Sequence, residues 1–419
     1  MLSSIPNELK FLINDLRRQA IFCNMNVYIV GGFVRDLILG VKNLDLDIVT
    51  EGDAIAFALK FADLHKGIPI VHKRFGTATV KLESGLKVDF STARREVYPK
   101  PAHLPVVSAA TLRDDLSRRD FTINALALSL NNGKIIDYFN GLADLKSHKI
   151  RVLHNLSFKD DPTRILRGIR FEQRLSFRIE QSTLRLLKEA IGEGMLEQVH
   201  PHRLRDELIL TLKESNPLKQ IRRIDSLTGF GFLQRGLKLN SRTYSFLIYL
   251  RNSIKWFNRN YPKRRRLDVW LIYLIGLLEP LSTAKAKNFC IRFGLRRGEV
   301  KRILSFKNSS PAFIKKLSTS KIRPSDIFTL LEPLSYETII SLKAKSKNRF
   351  FNRHICNFLD IYNGMCLFVS GRDLYSLGLP PGPKYKDIFT KVLTAKLNAE
   401  VRNKEEELLL IQKLFKKGA

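Results

Sequence analysis

Cysteine is scarce in this chain of 419 residues: four are present, at positions 23, 290, 356 and 366, and no two stand in Cys-x-x-Cys spacing. That scarcity excludes a disulfide framework, gives no sign of a thiolate zinc site and suits a reducing compartment. Long apolar runs are missing as well. The longest, Leu267 to Leu278, is interrupted by Asp268 and falls short of the roughly 20 residues that a bilayer core demands. The first residues, Met1 to Ala20, are polar and amphipathic with Arg17-Arg18 late in them, unlike a secretory leader. A cytoplasmic protein that does not enter a membrane is expected.

Acidic residues are the second shortage. Against 72 Lys and Arg the chain sets 40 Asp and Glu, for a net charge of +32 and a pI near 10.1. The excess is uneven: residues 1–150 carry +4 and residues 151–419 carry +28, of which 211–350 hold +22. Such a surplus calls for a polyanionic partner. A single run such as Lys263-Arg264-Arg265-Arg266 reads as a solvated helix face or loop, but that reading does not cover the whole excess.

The chemistry concentrates in a short, nearly neutral segment. Asn26-Val27-Tyr28-Ile29-Val30 is apolar and β-branched, which predicts a strand; Gly31-Gly32 permits a turn, and Phe33 to Leu39 reads as a short amphipathic helix stopped by Gly40. Backbone N–H groups at such a junction favour an anion, and Arg35 adds a cation. Leu44 to Val49 alternates with period two, turning Leu44, Leu46 and Ile48 toward a core and Asp45 and Asp47 to the other face. Their Cα atoms then stand roughly 6–7 Å apart, close enough for both carboxylates to converge on divalent metal. A lone Asp-x-Asp is ordinarily the wet side of a strand, and a lone glycine pair is equally unspecific. The ordered combination within about two dozen residues is what sets this segment apart.

The surrounding pattern is α/β. A helix is predicted over about Ile5–Asn24, another near Asp53–Lys66, a strand at Ile68–Val71, and two alternating runs, Thr77–Leu82 and Leu86–Ala93, joined at Ser84-Gly85 as a hairpin. The second run leaves Asp89 on the face opposite its apolar residues, where it is either a third carboxylate for the pair or a surface residue of the strand. Prolines 99, 101 and 105 predict a loop between Asp89 and Asp114. Leu126, Leu128 and Leu130 alternate before an Asn131-Asn132-Gly133 turn, and from about Leu153 onward helical periodicity replaces strand signals.

With three further blocks this segment resembles the class II tRNA nucleotidyltransferases, the eubacterial-type CCA-adding enzymes and their poly(A) polymerase relatives in the DNA polymerase β superfamily. The blocks are Arg118 to Ala125, Asp137 to Leu145, and Asp160 to Phe171, in the family's order across roughly residues 26 to 175. The resemblance implies an α+β fold: a polymerase β-like nucleotidyltransferase head with a mixed antiparallel sheet (1–150), then an all-α neck carrying base recognition (151–215), body (216–310) and tail (311–419). It implies Mg²⁺ on Asp45 and Asp47, with an acidic residue at the place of Asp89 often joining them in catalysis. It puts Gly32, Arg35 and Arg119 on the incoming nucleotide, makes the 91–111 stretch the family's flexible loop, and makes Asp137–Leu145 a hinge. A salt bridge from the Arg118-Arg119 pair to Asp114 or Asp115 is the structural alternative to a phosphate contact.

The Asp160–Phe171 block is predicted to open a helix capped by Asp160 or Asp161 with Pro162 in its first turn. Arg164, Arg167, Arg170 and Arg174 fall on one arc, and Ile165, Leu166 and Ile169 on the next. Cytosine and adenine both present an exocyclic amine beside a ring-nitrogen acceptor. A carboxylate that accepts from the amine and an arginine that donates to the ring nitrogen bind both bases, whereas uracil and guanine oppose acceptor to acceptor and donor to donor. The resemblance assigns this pairing to Asp161 and Arg164, with Arg167 and Arg170 also lining the nucleotide site; at Asp160 the family usually has glutamate.

The expected activity is addition of C and/or A to tRNA 3′ ends from CTP and ATP without a nucleic-acid template. A poly(A) polymerase and an RNA-binding protein with an inactive head are the alternatives, and the oligomeric state stays open. Arg203 and Glu207 are spaced for an i,i+4 helix pair. Trp256, Tyr261, Phe289 and Phe293 read as core or as RNA-stacking aromatics. Gly378 to Tyr385 breaks the tail, and His200 and His202 have no partner that suggests metal.

Overall fold

The apolar run ending at the glycine pair forms β1 (Asn26–Val30), at the centre of the first of two units, Met1–Leu233 and Gln234–Ala419. The computed structural model describes residues 6–416. The predicted start of the first helix at Ile5, and the extreme ends of the head and tail segments, lie outside them. Around β1 run α1 (Asn7–Phe22), α2 (Gly32–Ile38), β2 (Leu46–Glu51), α3 (Ala54–Leu64), β3 (Ile68–His72), β4 (Thr77–Lys81) and β5 (Lys87–Thr92). Next come β6 (Arg94–Val97), β7 (Val106–Ala109), α4 (Leu112–Ser117), β8 (Leu126–Ser129), β9 (Ile135–Asp137) and α5 (Gly141–Lys146).

Seven of these strands make one sheet in the order β3-β4-β5-β2-β1-β8-β9. Its pairs are antiparallel except β2 with β5, which run parallel. The sheet is covered on both faces: Phe57 and Phe61 of α3 pack on Phe90, while Leu112 and Leu116 of α4 join Tyr28, Val30, Val49 and Ala127 on the other side. Double coverage is why β1 and β8 read as nearly continuous apolar runs rather than clean alternations.

Two sequence expectations fail here. The segment between Asp89 and Asp114 is not simply a loop, because β6 and β7 pair antiparallel as a separate ribbon, Arg94 opposite Ala109 and Val97 opposite Val106. Pro99 and Pro101 occupy the turn and Pro105 directly precedes β7, places where no ladder N–H is needed. Nor does β-structure end at Leu153. A two-residue parallel pair joins β10 (Lys149–Ile150) to β11 (Arg178–Ile179), too short to leave a periodic signature.

Helices complete the first unit: α6 (Ser157–Asp160), α7 (Thr163–Leu175), α8 (Gln181–Gly192), α9 (Pro201–Leu212) and α10 (Pro217–Leu227). Glu172 of α7, buried, is held by Arg223 of α10 at 2.6 Å.

Among the described residues of the second unit the regular elements are all helices. They include α11 (Ser241–Asn260), α12 (Val269–Leu278), α13 (Thr283–Arg292), α14 (Arg297–Lys307), α15 (Pro311–Leu317), α16 (Pro324–Leu331), α17 (Tyr336–Lys345), α18 (Arg349–Asn357), α19 (Gly371–Ser376), α20 (Lys384–Leu397) and α21 (Lys404–Lys416). The apolar stretch noted in the sequence is α12, buried along its length as a core helix. Among the described residues no helix is long and apolar enough to cross a membrane. Phe289 and Phe293 are core, stacked at 4.3 Å; Trp256 and Tyr261 are half-buried, and Lys343 lies 4.4 Å from the Trp256 ring. Val369, Leu374, Leu379, Val392 and Ile411 form a separate apolar cluster near the C-terminal end.

Candidate active site

The site begins at the turn after β1. Gly31 has φ +71°, and a Cβ there would stand 2.7 Å from Nη1 of Arg119. Only glycine allows both the backbone conformation and that approach. Gly32 has no such demand, since an added Cβ would meet nothing closer than Nη2 of Arg35 at 3.6 Å. Gly31 therefore shapes the turn, and Gly32 presents its backbone to the cavity.

The carboxylates follow from sheet register. Parallel pairing of β2 with β5 sets Asp47 directly opposite Asp89, and Asp45 lies one residue before β2. Burial raises the Asp47 pKa, and the negative charges of Asp89 and Asp45 raise it further, with Arg119 as the opposing influence. Asp89 accepts a hydrogen bond from the Thr79 hydroxyl and is not in the cavity lining, whereas Asp45 and Asp47 are. Among the described residues no three Asp, Glu, His or Cys side chains converge into a closed metal cage. The donor set nonetheless fits a hard divalent cation at an open site: oxygen ligands only, and a mutual repulsion that such an ion relieves.

Both arginines of the Arg118-Arg119 pair bind Asp115, at 2.7 and 3.0 Å, so the structural partner weighed in the sequence is present. Asp115 is fully buried; against that burial the Arg119 and Arg118 guanidiniums hold its carboxyl below the usual range. Among the described residues Arg119 also keeps a buried Nε without a hydrogen-bond partner. Arg118 reaches Glu96 of the ribbon at 3.0 Å.

The arginine stripe on α7 faces the same space, and it is tied down. Arg167 bonds Asp120 at 2.6 Å and Glu207 at 3.1 Å, and Arg170 bonds Glu207 at 3.1 Å. Asp120 accepts from Asn124, whose amide oxygen in turn accepts from Arg35; Arg35 pairs with Asp36 at 2.7 Å. A continuous hydrogen-bonded chain thus runs from the glycine turn to α9. Its consequence is a correction: Arg203 and Glu207 do not form the expected i,i+4 pair. Glu207 serves the α7 arginines, and Nη2 of Arg203 bonds Asp161 at 2.8 Å.

Asp160 ends α6, a short turn the sequence reading did not separate, and Asp161 sits between α6 and α7. Oδ1 of Asp161 accepts hydrogen bonds from the amide and hydroxyl of Thr163 and forms an ion pair with Arg203. Arg164, buried, donates from Nη1 to Ser157 and from Nη2 to the Arg118 carbonyl. The guanidinium is thereby fixed with donors to spare.

These elements enclose a cavity of about 560 Å³ lined by Gly31, Gly32, Arg35, Asp45, Asp47, Arg119, Asp161, Arg164, Arg167 and Arg170. Sequence reasoning missed several other lining residues. Glu96 and Tyr98 lay in what was read as a loop, and Asp120 and Asn124 sat inside a recognised block without a role. Tyr98 donates to Glu96 at 3.0 Å, and burial together with that carboxylate pushes its hydroxyl pKa up. An aromatic set among prolines is the one feature of the sequence that could have found it.

Residues 27–151 match the model of the poly A polymerase head domain. An A-adding tRNA nucleotidyltransferase of Geobacter sulfurreducens is 36% identical over 98% of this chain, which spans about half of that protein, 47%. The A-adding tRNA nucleotidyltransferase of Halalkalibacterium halodurans is 31% identical over 98% of this chain and 94% of its own length. The chain belongs to the tRNA nucleotidyltransferase and poly(A) polymerase family. Among solved members of the family, an apo form of a CCA-adding enzyme superposes with a TM-score of 0.78 at 38% identity, covering 98% of this chain and 97% of that one. The Thermotoga maritima CCA-adding enzyme complexed with tRNA gives 0.73 at 37% identity, covering 98% and 96%. Nucleotidyltransferases of this family use a divalent metal ion.

Proposed function

We propose that this protein is a tRNA 3′-terminal nucleotidyltransferase that adds C and/or A from CTP and ATP, without a nucleic-acid template and with release of pyrophosphate. The observation that carries the reading is one cavity holding both a carboxylate pair, Asp45 and Asp47, and a base-reading pair, Asp161 and Arg164. The names of the relatives support it, as does a solved relative in complex with tRNA.

Asp45 and Asp47, with Asp89 across the sheet, would hold Mg²⁺, which when bound activates the RNA 3′-hydroxyl and offsets triphosphate charge. The backbone of Gly31-Gly32 and the guanidinium of Arg119 receive the triphosphate, so that the hydroxyl attacks the α-phosphorus in line. Asp161 turns Oδ2, a carboxylate oxygen with no hydrogen bond among the described residues, toward the exocyclic amine, and Arg164 donates to the ring nitrogen. Uracil or guanine there leaves opposed buried groups, at about 1–3 kcal/mol for each. Tyr98 and the ribbon close the same space.

Residues 1–150 are the head, 151–215 the neck, 216–310 the body and 311–419 the tail. The basic remainder holds the tRNA, and a tRNA substrate with four free thiols suits the cytoplasm. The test offers purified protein tRNAs lacking 3′ residues, with each of the four nucleoside triphosphates. Incorporation of C or A, and not of U or G, supports the reading; incorporation without base preference refutes it.

A further inference from the structure

The ribbon and the base-reading carboxylate share one side chain. Arg203 on α9 reaches Oδ1 of Asp161 through Nη2 at 2.8 Å and the carbonyl of Ala102 through Nη1 at 3.5 Å. Ala102 lies in the turn between β6 and β7, buried, at φ +60°, and its amide donates to the Lys159 carbonyl of α6 at 3.0 Å. Arg203 itself is outside the cavity lining. Any effect it has on a nucleotide passes through the groups it holds.

We propose that Arg203 is a positioning residue for base selection, coupling the docking of the ribbon tip to the aim of Asp161; this rests on the function proposed above. The physical reason is torsional. A carboxylate rotates broadly about Cβ–Cγ, and the two Thr163 donors approach Oδ1 from the start of its own helix only. Arg203 adds a guanidinium from another helix as an ion pair at 2.8 Å, and two hydrogen bonds together with that ion pair on Oδ1 fix the direction in which Oδ2 points. The same guanidinium holds the ribbon tip, so undocking of the tip frees one arm of the fork and loosens the carboxylate. Base choice and ribbon position then change together. The i,i+4 reading of the sequence concealed this, because both true partners of Arg203 lie outside its own helix.

The test uses the full chain with Arg203→Ala and Arg203→Lys. Two readouts are taken: hydrogen exchange in the peptide spanning Ala102, and kcat/KM for C and A against U on tRNA lacking its 3′ end. Arg203→Ala is expected to speed exchange at Ala102 and to cut the preference for C and A about tenfold, with KM for tRNA unchanged. Arg203→Lys, which keeps one contact to Asp161, is expected to restore most of the preference. Should the alanine variant fail to fold, Arg203→Gln carries the same comparison. Wild-type preference in the alanine or glutamine variant, whether or not exchange at Ala102 rises, overturns the proposal. If the unaltered protein shows no preference for C and A over U, the proposed function falls, while the exchange readout still judges whether Arg203 holds the tip.

Discussion

Burial raises the pKa of Asp47, Arg119 opposes that rise and the charges of Asp89 and Asp45 add to it, so a cation bound there would favour the charged form. Asp45→Asn and Asp47→Asn are each expected to lower nucleotide transfer by at least about a hundredfold, while thermal melting without added metal shows no loss of stability. A drop in melting temperature would give the pair a structural role instead. The two glycines separate similarly. Gly31→Ala forces a side chain into the left-handed region and against Arg119, a strain of about 1–3 kcal/mol, and is expected to lower both stability and activity. Gly32→Ala has room in the backbone and is expected to raise KM for the nucleotide with little change in melting, since its methyl group crowds the cavity rather than the fold. Steady-state kinetics and melting curves on the two variants decide this.

At the scale of elements, α7 carries both Arg164, proposed above to read the base, and the ion-paired Arg167 and Arg170. Removing the Glu207 carboxylate takes an ion-pair partner from both Arg167 and Arg170, leaving Arg167 on Asp120 and Arg170 on Glu214, each also over the Phe171 ring. Glu207→Ala is expected to cost about 3 kcal/mol in denaturant unfolding and to weaken nucleotide binding; a neutral effect on both would contradict the chain of bonds. Local elements were legible wherever periodicity is local. Strand β1, the Gly31 turn and the β4–β5 hairpin stand where the sequence predicts them, because turn chemistry and alternation are written within a few residues. The ribbon was not, because its prolines mask two strands that need few ladder bonds. The partners of Arg167, Arg170 and Arg203 were also hidden, since ion pairs spanning some forty residues leave no spacing signal. What the sequence placed in the cavity was residue identity; what holds those residues there came only with the fold.

For the whole molecule, the +32 charge is not all free at the surface. Arg264 bonds the carbonyls of Leu359 and Asn363, and Arg265 and Arg302 bind the fully buried Glu337, while Lys263 and Arg266 stay exposed. Burial works against ionised Glu337, yet Arg265 and the Asp268 amide bring its pKa from 4.5 to about 2. A depressed carboxylate contributes stability that is present above pH 4.5 and lost as pH falls toward about 2. Glu337→Gln is therefore expected to melt lower at neutral pH and to lose less on acidification through that window than the unaltered chain. Parallel acid slopes would refute the assignment. If metal carboxylates and base-reading groups act on tRNA in one cavity, as proposed, extension of tRNAs ending before the first C, after CC, or complete shows both at once. With Mg²⁺ and CTP or ATP, short addition of C and/or A to incomplete tRNA, none to complete tRNA, and loss of addition in Asp47→Asn are expected. Long A tracts on arbitrary RNA, or activity that survives Asp45→Ala combined with Asp47→Ala, would contradict the proposed function.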